Sequence, residues 1–123
     1  MHELFATEQI KEIVLRHAEA AEAARVTDVF LVVGELSSMV DDAVQFYWDA
    51  ISADTAAEGA HLHFRRVPAE MRCRQCGRRY SLREDLLCPA CESGDVELVA
   101  GEGFYVESIG VEAERSSARE IRD

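Results

Sequence analysis

The sequence has few positive charges and no long apolar segment. Its 123 residues include 13 lysines and arginines against 24 aspartates and glutamates, which gives a formal net charge of −11. Because an acidic chain repels phosphates, this composition argues against general nucleic-acid binding. No run approaches the roughly 18 apolar residues of a membrane span, and the N-terminal segment lacks the apolar core of a secretory signal. We therefore expect a cytoplasmic protein without a membrane span, whose thiols stay reduced.

The chain has four cysteines, and all of them lie in one short stretch. The four cysteines form two Cys-x-x-Cys pairs: Cys73, Cys76, Cys88 and Cys91. Two such pairs supply the four thiolates that tetrahedral Zn(II) prefers, and this spacing is typical of a zinc ribbon. A closed four-cysteine site leaves no position for water, so we predict a structural metal. Two disulfides or a redox-active dithiol are the alternatives, disfavoured by the expected compartment and by the absence of a helix directly after either pair.

Arginines are concentrated around these cysteines although the chain is acidic. Between residues 65 and 83, seven arginines accompany a single acid, Glu70, which gives a local charge of +6 and leaves −17 for the rest. Such a ribbon could contact nucleic acid or an acidic protein, or it could simply be solvated. A nucleic-acid or protein interaction module is therefore the alternative function to any metal chemistry.

Hydrophobic periodicity predicts two helices. The first spans Met1 to Ala24, and one face carries a stripe at helical spacing: Ile10, Ile13, Val14, His17 and Ala21. A histidine on such a stripe is more often a core or edge residue than a metal ligand. Ser37 or Ser38 is expected to cap the second helix, with Asp41 completing a capping box. The second stripe is Val40, Val44, Tyr47, Trp48 and Ile51, and we interpret Tyr47 and Trp48 as core.

Three strands complete the predicted domain. Val26 to Val33 is a β-branched run closed by Gly34, and the segment from Ala60 to Arg65 alternates apolar and polar residues. His61 and His63 then share one face, about 6.5 Å apart along the strand, either as unshared imidazoles or within reach of one ion. A last strand follows Phe104. The fold class is α+β, with two helices packed on a three-stranded sheet and an inserted four-cysteine zinc ribbon.

The extreme N-terminus, Met1-His2-Glu3, offers a second kind of metal chemistry. A free α-amine, the amide nitrogen of residue 2 and the His2 imidazole form fused chelate rings, and the next amide or the Glu3 carboxylate can close the set. Nitrogen-rich planar sites of this kind suit Ni(II) or Cu(II) rather than Zn(II). Many proteins begin with Met-His by chance, so the triplet alone is a weak signal.

The order of the motifs resembles that of a known family. Met1-His2-Glu3-Leu4, Val33-Gly34-Glu35-Leu36-Ser37, Val67-Pro68-Ala69, the two cysteine pairs and Ser108-Ile109-x-Val111-Glu112 together resemble the HypA/HybF family of nickel-insertion proteins for NiFe hydrogenase maturation. The resemblance covers residues 1 to about 112. It implies a nickel metallochaperone rather than an enzyme, with Met1, His2 and Glu3 as the nickel motif and His2 as the principal ligand.

The resemblance also implies cofactors, partners and domains. Cys73, Cys76, Cys88 and Cys91 match the structural zinc ligands, and Ni(II) is transient cargo. The implied partners are a hydrogenase-maturation GTPase and the hydrogenase large-subunit precursor, in some members also urease accessory proteins, and a homodimer is possible. We predict a nickel-binding domain at 1–67 plus 102–112, a zinc-ribbon domain at 68–101 and a flexible tail at 113–123.

This sequence departs from the family pattern at three places. Phe5 stands where a small polar residue is usual, Glu92 where glycine is common, and Gly101-Glu102-Gly103 replaces a Gly-Arg-Glu pattern. None of these positions is a proposed ligand, so the metal assignments stand. The Gly101-Glu102-Gly103 departure bears on a predicted hinge in this segment or on partner contacts.

Overall fold

The computed structural model describes residues 3–113 of the chain. In this range the elements are, in order, α1 (Glu3–Ala20), β1 (Ala23–Gly34), α2 (Asp41–Ile51), β2 (His61–Val67), β3 (Glu70–Cys73), β4 (Arg79–Ser81), β5 (Val96–Ala100) and β6 (Phe104–Ala113). The strands form two three-stranded sheets, ordered β2-β1-β6 and β4-β3-β5. The predicted α+β class, with two helices, a three-stranded sheet and an inserted ribbon, is confirmed.

The chain divides into two compact units. Among the described residues, the first comprises 3–31, 39–64 and 105–113, and the second comprises Val32–Ser38 and Arg65–Phe104. All four cysteines belong to the second unit. Of the predicted tail, Ala113 is the last residue of β6, and residues 114–123 lie outside the described part.

The core of the first unit is built from α1, α2 and the central strand β1. The helices contact each other, and of the two aromatic residues predicted as core, Trp48 is fully buried and Tyr47 is half-buried. On α1 the buried side chains are Thr7, Ile10, Val14 and Ala18. His17, which the stripe places on the inner face, is instead exposed. The stripe is offset because α1 buries the i, i+3, i+7 and i+11 series that starts at Thr7.

The first helix ends at Ala20 rather than at the predicted Ala24. Glu22 takes a left-handed conformation with φ of 54°, and Ala23 already belongs to β1. Alanine favours helix by only a few tenths of a kcal/mol per residue over most residue types. Backbone pairing in the central strand outweighs that preference, so the alanines that follow the turn extend β1.

The predicted serine cap of the second helix is wrong. The N-cap residue of α2 is Val40, in an extended conformation and without a side-chain cap hydrogen bond. The N–H of Ser37 donates to the carbonyl of Gly34 at 2.9 Å. This tight turn directly after β1 places both serines ahead of the cap position.

The second sheet supports the cysteines. β3 pairs antiparallel with β4, with Met71 opposite Tyr80, and antiparallel with β5, with Cys73 opposite Val96. A small buried cluster lies on this sheet, formed by Cys73, Tyr80 and Cys88 with Met71 and Val96 packed against it. So few apolar side chains provide little burial energy, as in other small domains that depend on a metal.

Candidate metal centres

The structure brings the four cysteines together at one point. The ligand atoms of Cys73, Cys76, Cys88 and Cys91 all lie within 4.8 Å of one another. Cys73 Sγ is 3.5 Å from Cys91 Sγ, and Cys76 Sγ is 3.6 Å from Cys88 Sγ. Four sulfurs at about 2.3 Å from a tetrahedral Zn(II) are about 3.8 Å apart, so the arrangement fits that ion. Such an ion would cross-link the two knuckles of the second unit.

Each Cys-x-x-Cys pair is held by the same backbone pattern. In the first knuckle, the N–H of Gly77 donates to the Cys73 carbonyl at 2.8 Å, and the N–H of Cys73 donates to the Arg78 carbonyl at 2.9 Å. In the second knuckle, the N–H of Glu92 donates to the Cys88 carbonyl at 2.7 Å, and the N–H of Cys88 donates to the Ser93 carbonyl at 3.0 Å.

The two knuckles also share a left-handed residue, Gly77 with φ of 81° and Glu92 with φ of 62°. Glycine adopts this conformation without strain, whereas glutamate does so at a cost. Glu92, which stands where glycine is common in the family, therefore occupies a backbone conformation that glycine would adopt with less strain.

The knuckle backbone favours the thiolate form of Cys73. The N–H of Cys76 donates to Cys73 Sγ at 3.4 Å and that of Gln75 at 3.3 Å. The first of these hydrogen bonds is the main cause that lowers the pKa of Cys73 to about 6, against the opposing effect of burial. Because metals bind the thiolate, the fold prepares this ligand for a soft cation.

Four ribbon arginines are paired with carboxylates of the same unit. Arg72 binds Glu97, which is its register partner across the sheet. The other three pairs are Arg74 with Asp95 at 3.0 Å, Arg79 with Glu70 at 2.8 Å and Arg83 with Glu35 at 2.5 Å. These pairs neutralise much of the local positive charge, and Asp95 and Glu97 lie just beyond the basic segment. The ribbon therefore presents less of a basic surface than the sequence indicates, which weighs against nucleic-acid binding.

Of the predicted nickel motif, only Glu3 is described. Met1 and His2 lie outside the described residues. Glu3 opens α1, and its Oε2 accepts the N–H of Val40 at 3.3 Å. This hydrogen bond links the start of α1 to the N-cap residue of α2.

The histidines of the described part differ in their surroundings. His17 lies on the exposed face of α1. His63 Nε2 is 2.8 Å from Asp28 Oδ1, and its ring packs 4.5 Å, centroid to centroid, from that of His61. Among residues 3–113, the four cysteines are the only set of three or more histidine, cysteine or acidic side chains with ligand atoms grouped this closely.

The sequence analysis assigns no role to Glu35, which appears there only as part of a motif that resembles the HypA/HybF family. Its carboxylate accepts the N–H of Ala69 at 2.6 Å and the guanidinium of Arg83 at 2.5 Å. The Ala69 hydrogen bond, followed by that of Arg83, lowers the pKa of Glu35 from its usual range. An acid directly after the glycine that ends a strand is the only sequence signal for this clamp.

Glycines let the chain segments beside Glu35 approach closely. The N–H of Leu36 donates to the carbonyl of Gly101 at 2.9 Å. A Cβ added at Gly34 would lie 2.2 Å from the Gly101 oxygen, and one added at Gly101, where φ is 90°, would lie 2.4 Å from Ala69 Cα. The glycine-rich segment predicted as a hinge is therefore a tightly packed crossing of backbones within the second unit.

Comparison with known proteins identifies the family. The model of the family described as "Hydrogenase/urease nickel incorporation, metallochaperone, hypA" matches residues 1–111. The chain belongs to the HypA family. The match begins at the first residue and therefore includes the Met1-His2-Glu3 triplet as well as both cysteine pairs. The predicted family is confirmed.

Relatives of the HypA family match over almost the whole chain. A protein from Dehalococcoides mccartyi named hydrogenase maturation factor HypA is 42% identical over 119 residues, which cover 96% of this chain and 100% of the relative. The factor of the same name from Geobacter sulfurreducens is 40% identical over 113 residues, which cover 91% of this chain and 100% of the relative.

Solved structures of HypA proteins share the fold. The solution structure of the Ni metallochaperone HypA from Helicobacter pylori superimposes with a TM-score of 0.70 at 20% identity, covering 93% of this chain and all of that one. A second HypA solution structure gives a TM-score of 0.74, also at 20% identity, covering 93% of this chain and 98% of the other. Within the described residues of this family member, no helix is both long and apolar enough to cross a membrane.

Proposed function

We propose that this HypA family member is a nickel metallochaperone that binds Ni(II) at Met1, His2 and Glu3 and delivers it during maturation of NiFe hydrogenase. The observation that carries the proposal is the family match, which extends over residues 1–111 and so includes the N-terminal triplet. The α-amine of Met1, backbone amides and the His2 imidazole supply the nitrogen-rich donor set that Ni(II) favours. His2 is the principal ligand.

The two metal sites have different roles, one structural and one for cargo. Cys73, Cys76, Cys88 and Cys91 hold a structural Zn(II), whose bonds to four thiolates would stabilise a unit with a very small core. Nickel, in contrast, is cargo bound at a chain end, where it can exchange. No bond is made or broken in a substrate, so the protein is not an enzyme.

The position of Glu3 supports the nickel site. Glu3 is the first residue of α1, and its hydrogen bond to the N–H of Val40 fixes the carboxylate at the helix start. The Glu3 carboxylate is therefore held in place directly after Met1 and His2, which supply the amine and the imidazole. The predicted domains, at 1–67 plus 102–112 and at 68–101, would separate nickel handling from the zinc ribbon.

The proposed partners follow from the family. They are a hydrogenase-maturation GTPase and the large-subunit precursor in the cytoplasm, and the family description adds urease as a further recipient of nickel. The acidic chain, with its net charge of −11, would attract both cations and basic partner surfaces.

Nickel content of the recipient enzyme tests the proposal. In cells that depend on this chain for maturation, His2→Ala should reduce the nickel content and the activity of NiFe hydrogenase at limiting nickel by at least about tenfold, since the principal ligand is lost. His17→Ala is the matched control, because this exposed histidine lies elsewhere on α1. Normal nickel insertion with the folded, zinc-loaded His2→Ala protein would contradict the proposal.

A further inference from the structure

Two histidines and an acid meet on the sheet formed by β2, β1 and β6. His61 and His63 lie on β2, at the edge of the strand order, and Asp28 lies on the central strand. His63 Nε2 is 2.8 Å from Asp28 Oδ1, and the rings of His61 and His63 are 4.5 Å apart at an interplanar angle of 62°. These side chains all belong to the first unit and reach solvent, with His63 and Asp28 each exposing more than a third of the side chain.

The imidazole of His63 is held in place from more than one side. Phe30 stacks on it with ring centroids 4.5 Å apart and planes 11° from parallel, while Asp28 fixes one ring nitrogen. An unshared surface histidine would keep its rotamer freedom, whose loss on binding a ligand costs free energy. Much of that ordering has already taken place in the folded protein.

Asp28 is itself positioned. Its Oδ2 accepts the hydroxyl of Thr27 at 2.8 Å, and a Cβ at Gly110 would come within 3.2 Å of the same oxygen. Gly110 on β6 therefore leaves the room that the Asp28 carboxylate occupies. The hydrogen bond to His63, followed by that to Thr27, lowers the pKa of Asp28, so the carboxylate stays ionised and available as an acceptor.

The geometry suits two cis ligands of one ion. With a metal–nitrogen distance of about 2.0–2.1 Å, two imidazoles at right angles around an ion have ring centroids about 4.5 Å apart, against about 5.2 Å at the tetrahedral angle. The observed centroid distance of 4.5 Å therefore brings the two rings close enough to bind one ion. When His63 is neutral, donation from Nε2 to Asp28 leaves the lone pair on Nδ1, which is the arrangement usual for a metal-binding histidine beside a carboxylate.

We propose that His61 and His63 form a second cation site, which takes a late first-row divalent ion such as Ni(II), with Asp28 as the positioning residue for His63. The site supplies two protein nitrogens and leaves the remaining positions to water. It is therefore a weaker and more rapidly exchanging site than either a four-thiolate centre or a chelating chain terminus. The proposal does not depend on the N-terminal nickel site, since no residue is shared.

The test uses the full zinc-loaded chain carrying His2→Ala, titrated with Ni(II) alone. We expect about one residual equivalent of nickel by calorimetry, and selective paramagnetic broadening of the His61 and His63 ring protons by NMR. The double variant His61→Gln with His63→Gln should abolish that equivalent, and Asp28→Asn should weaken its affinity by about 10- to 100-fold. His17→Gln is the control and should change neither signal.

Two results would overturn the proposal. One is the absence of residual nickel binding in the His2→Ala protein together with unbroadened His61 and His63 signals. The other is an unchanged isotherm in the double variant. If that variant fails to fold, the NMR titration decides alone, because it uses the unmodified histidines. Loss of the tight nickel equivalent on His2→Ala reports on the N-terminal site, so failure of either site is seen separately.

Discussion

The N–H of Val40, the residue that caps α2, donates to the carboxylate of Glu3 at the start of α1 at 3.3 Å. A residue of the proposed nickel triplet therefore also serves as a side-chain acceptor for the start of the neighbouring helix. This acceptor comes from another helix, so it differs from a local cap in the segment before α2.

Glu3→Ala should loosen the start of α2. Removing the acceptor leaves the Val40 N–H to water, and we expect its hydrogen exchange to accelerate by roughly threefold to tenfold, as for loss of a cap hydrogen bond. Amide exchange followed by NMR measures this, with Glu8→Ala on the exposed face of α1 as the control. Equal exchange rates at Val40 in both variants would show that the contact contributes nothing to the helix start.

Glu92→Gly should stabilise the zinc-loaded second unit by about 1 kcal/mol, because glycine removes the cost of a left-handed glutamate. Zinc affinity, measured by competition with a chelator, should rise by about fivefold accordingly. The reciprocal variant Gly77→Ala should lose a similar amount, since an added Cβ there meets no atom within 4 Å and only the backbone conformation is penalised. A weaker zinc affinity in Glu92→Gly would count against this explanation.

Glu35 should make the stability of the protein depend on pH. Its pKa is lowered in the folded state, first by the Ala69 N–H and then by Arg83. The unfolded state then binds the proton more readily, so the stabilisation is complete above the ordinary value of 4.5 and is lost as the pH falls through the folded pKa. Glu35→Gln should melt at a lower temperature than the parent at pH 7, and the difference should narrow below about pH 4.5. A constant difference in melting temperature across this range would be inconsistent with the clamp.

Zinc removal should unfold the second unit before the first. Apart from the cysteines, the buried cluster of the second unit contains only Tyr80, with Met71 and Val96 packed against it. Chelation should therefore collapse the dispersed amide signals of residues 70–100 to random-coil positions. Trp48, fully buried in the first unit, is the internal control, and its emission maximum should stay blue-shifted. Retention of the Tyr80 near-ultraviolet signal without metal would contradict a structural role for zinc.

Local patterns predicted those features that depend on neighbouring residues. The cysteine spacing places each knuckle in a turn of a few residues, and the two knuckles do meet in space. The β-branched run predicted the central strand, although β1 is longer at both ends than Val26 to Val33. The end of the first helix was predicted wrongly at Ala24, because the alanines after Ala20 favour helix. Strand pairing, which no local pattern contains, overrides that helix propensity.

The contacts that hold the sites depend on residues far apart in the chain. The Arg83–Glu35 pair joins residues 48 positions apart, and the His63–Asp28 pair joins residues 35 apart. The sequence shows the basic segment and the two histidines, but the acids that neutralise or orient them are set by the topology of the sheets. The overestimated positive charge of the ribbon has the same origin.

Nickel titration of the native-ended protein tests the central claim most directly. The measurement is calorimetry of the untagged, fully zinc-loaded chain at neutral pH, since residues added before Met1 would remove the free amine. His2→Ala should abolish the tight stoichiometric binding of Ni(II), with zinc content and melting temperature unchanged. An unchanged tight isotherm in His2→Ala, or no nickel binding by the parent protein, would contradict a metallochaperone that carries nickel at its N-terminus.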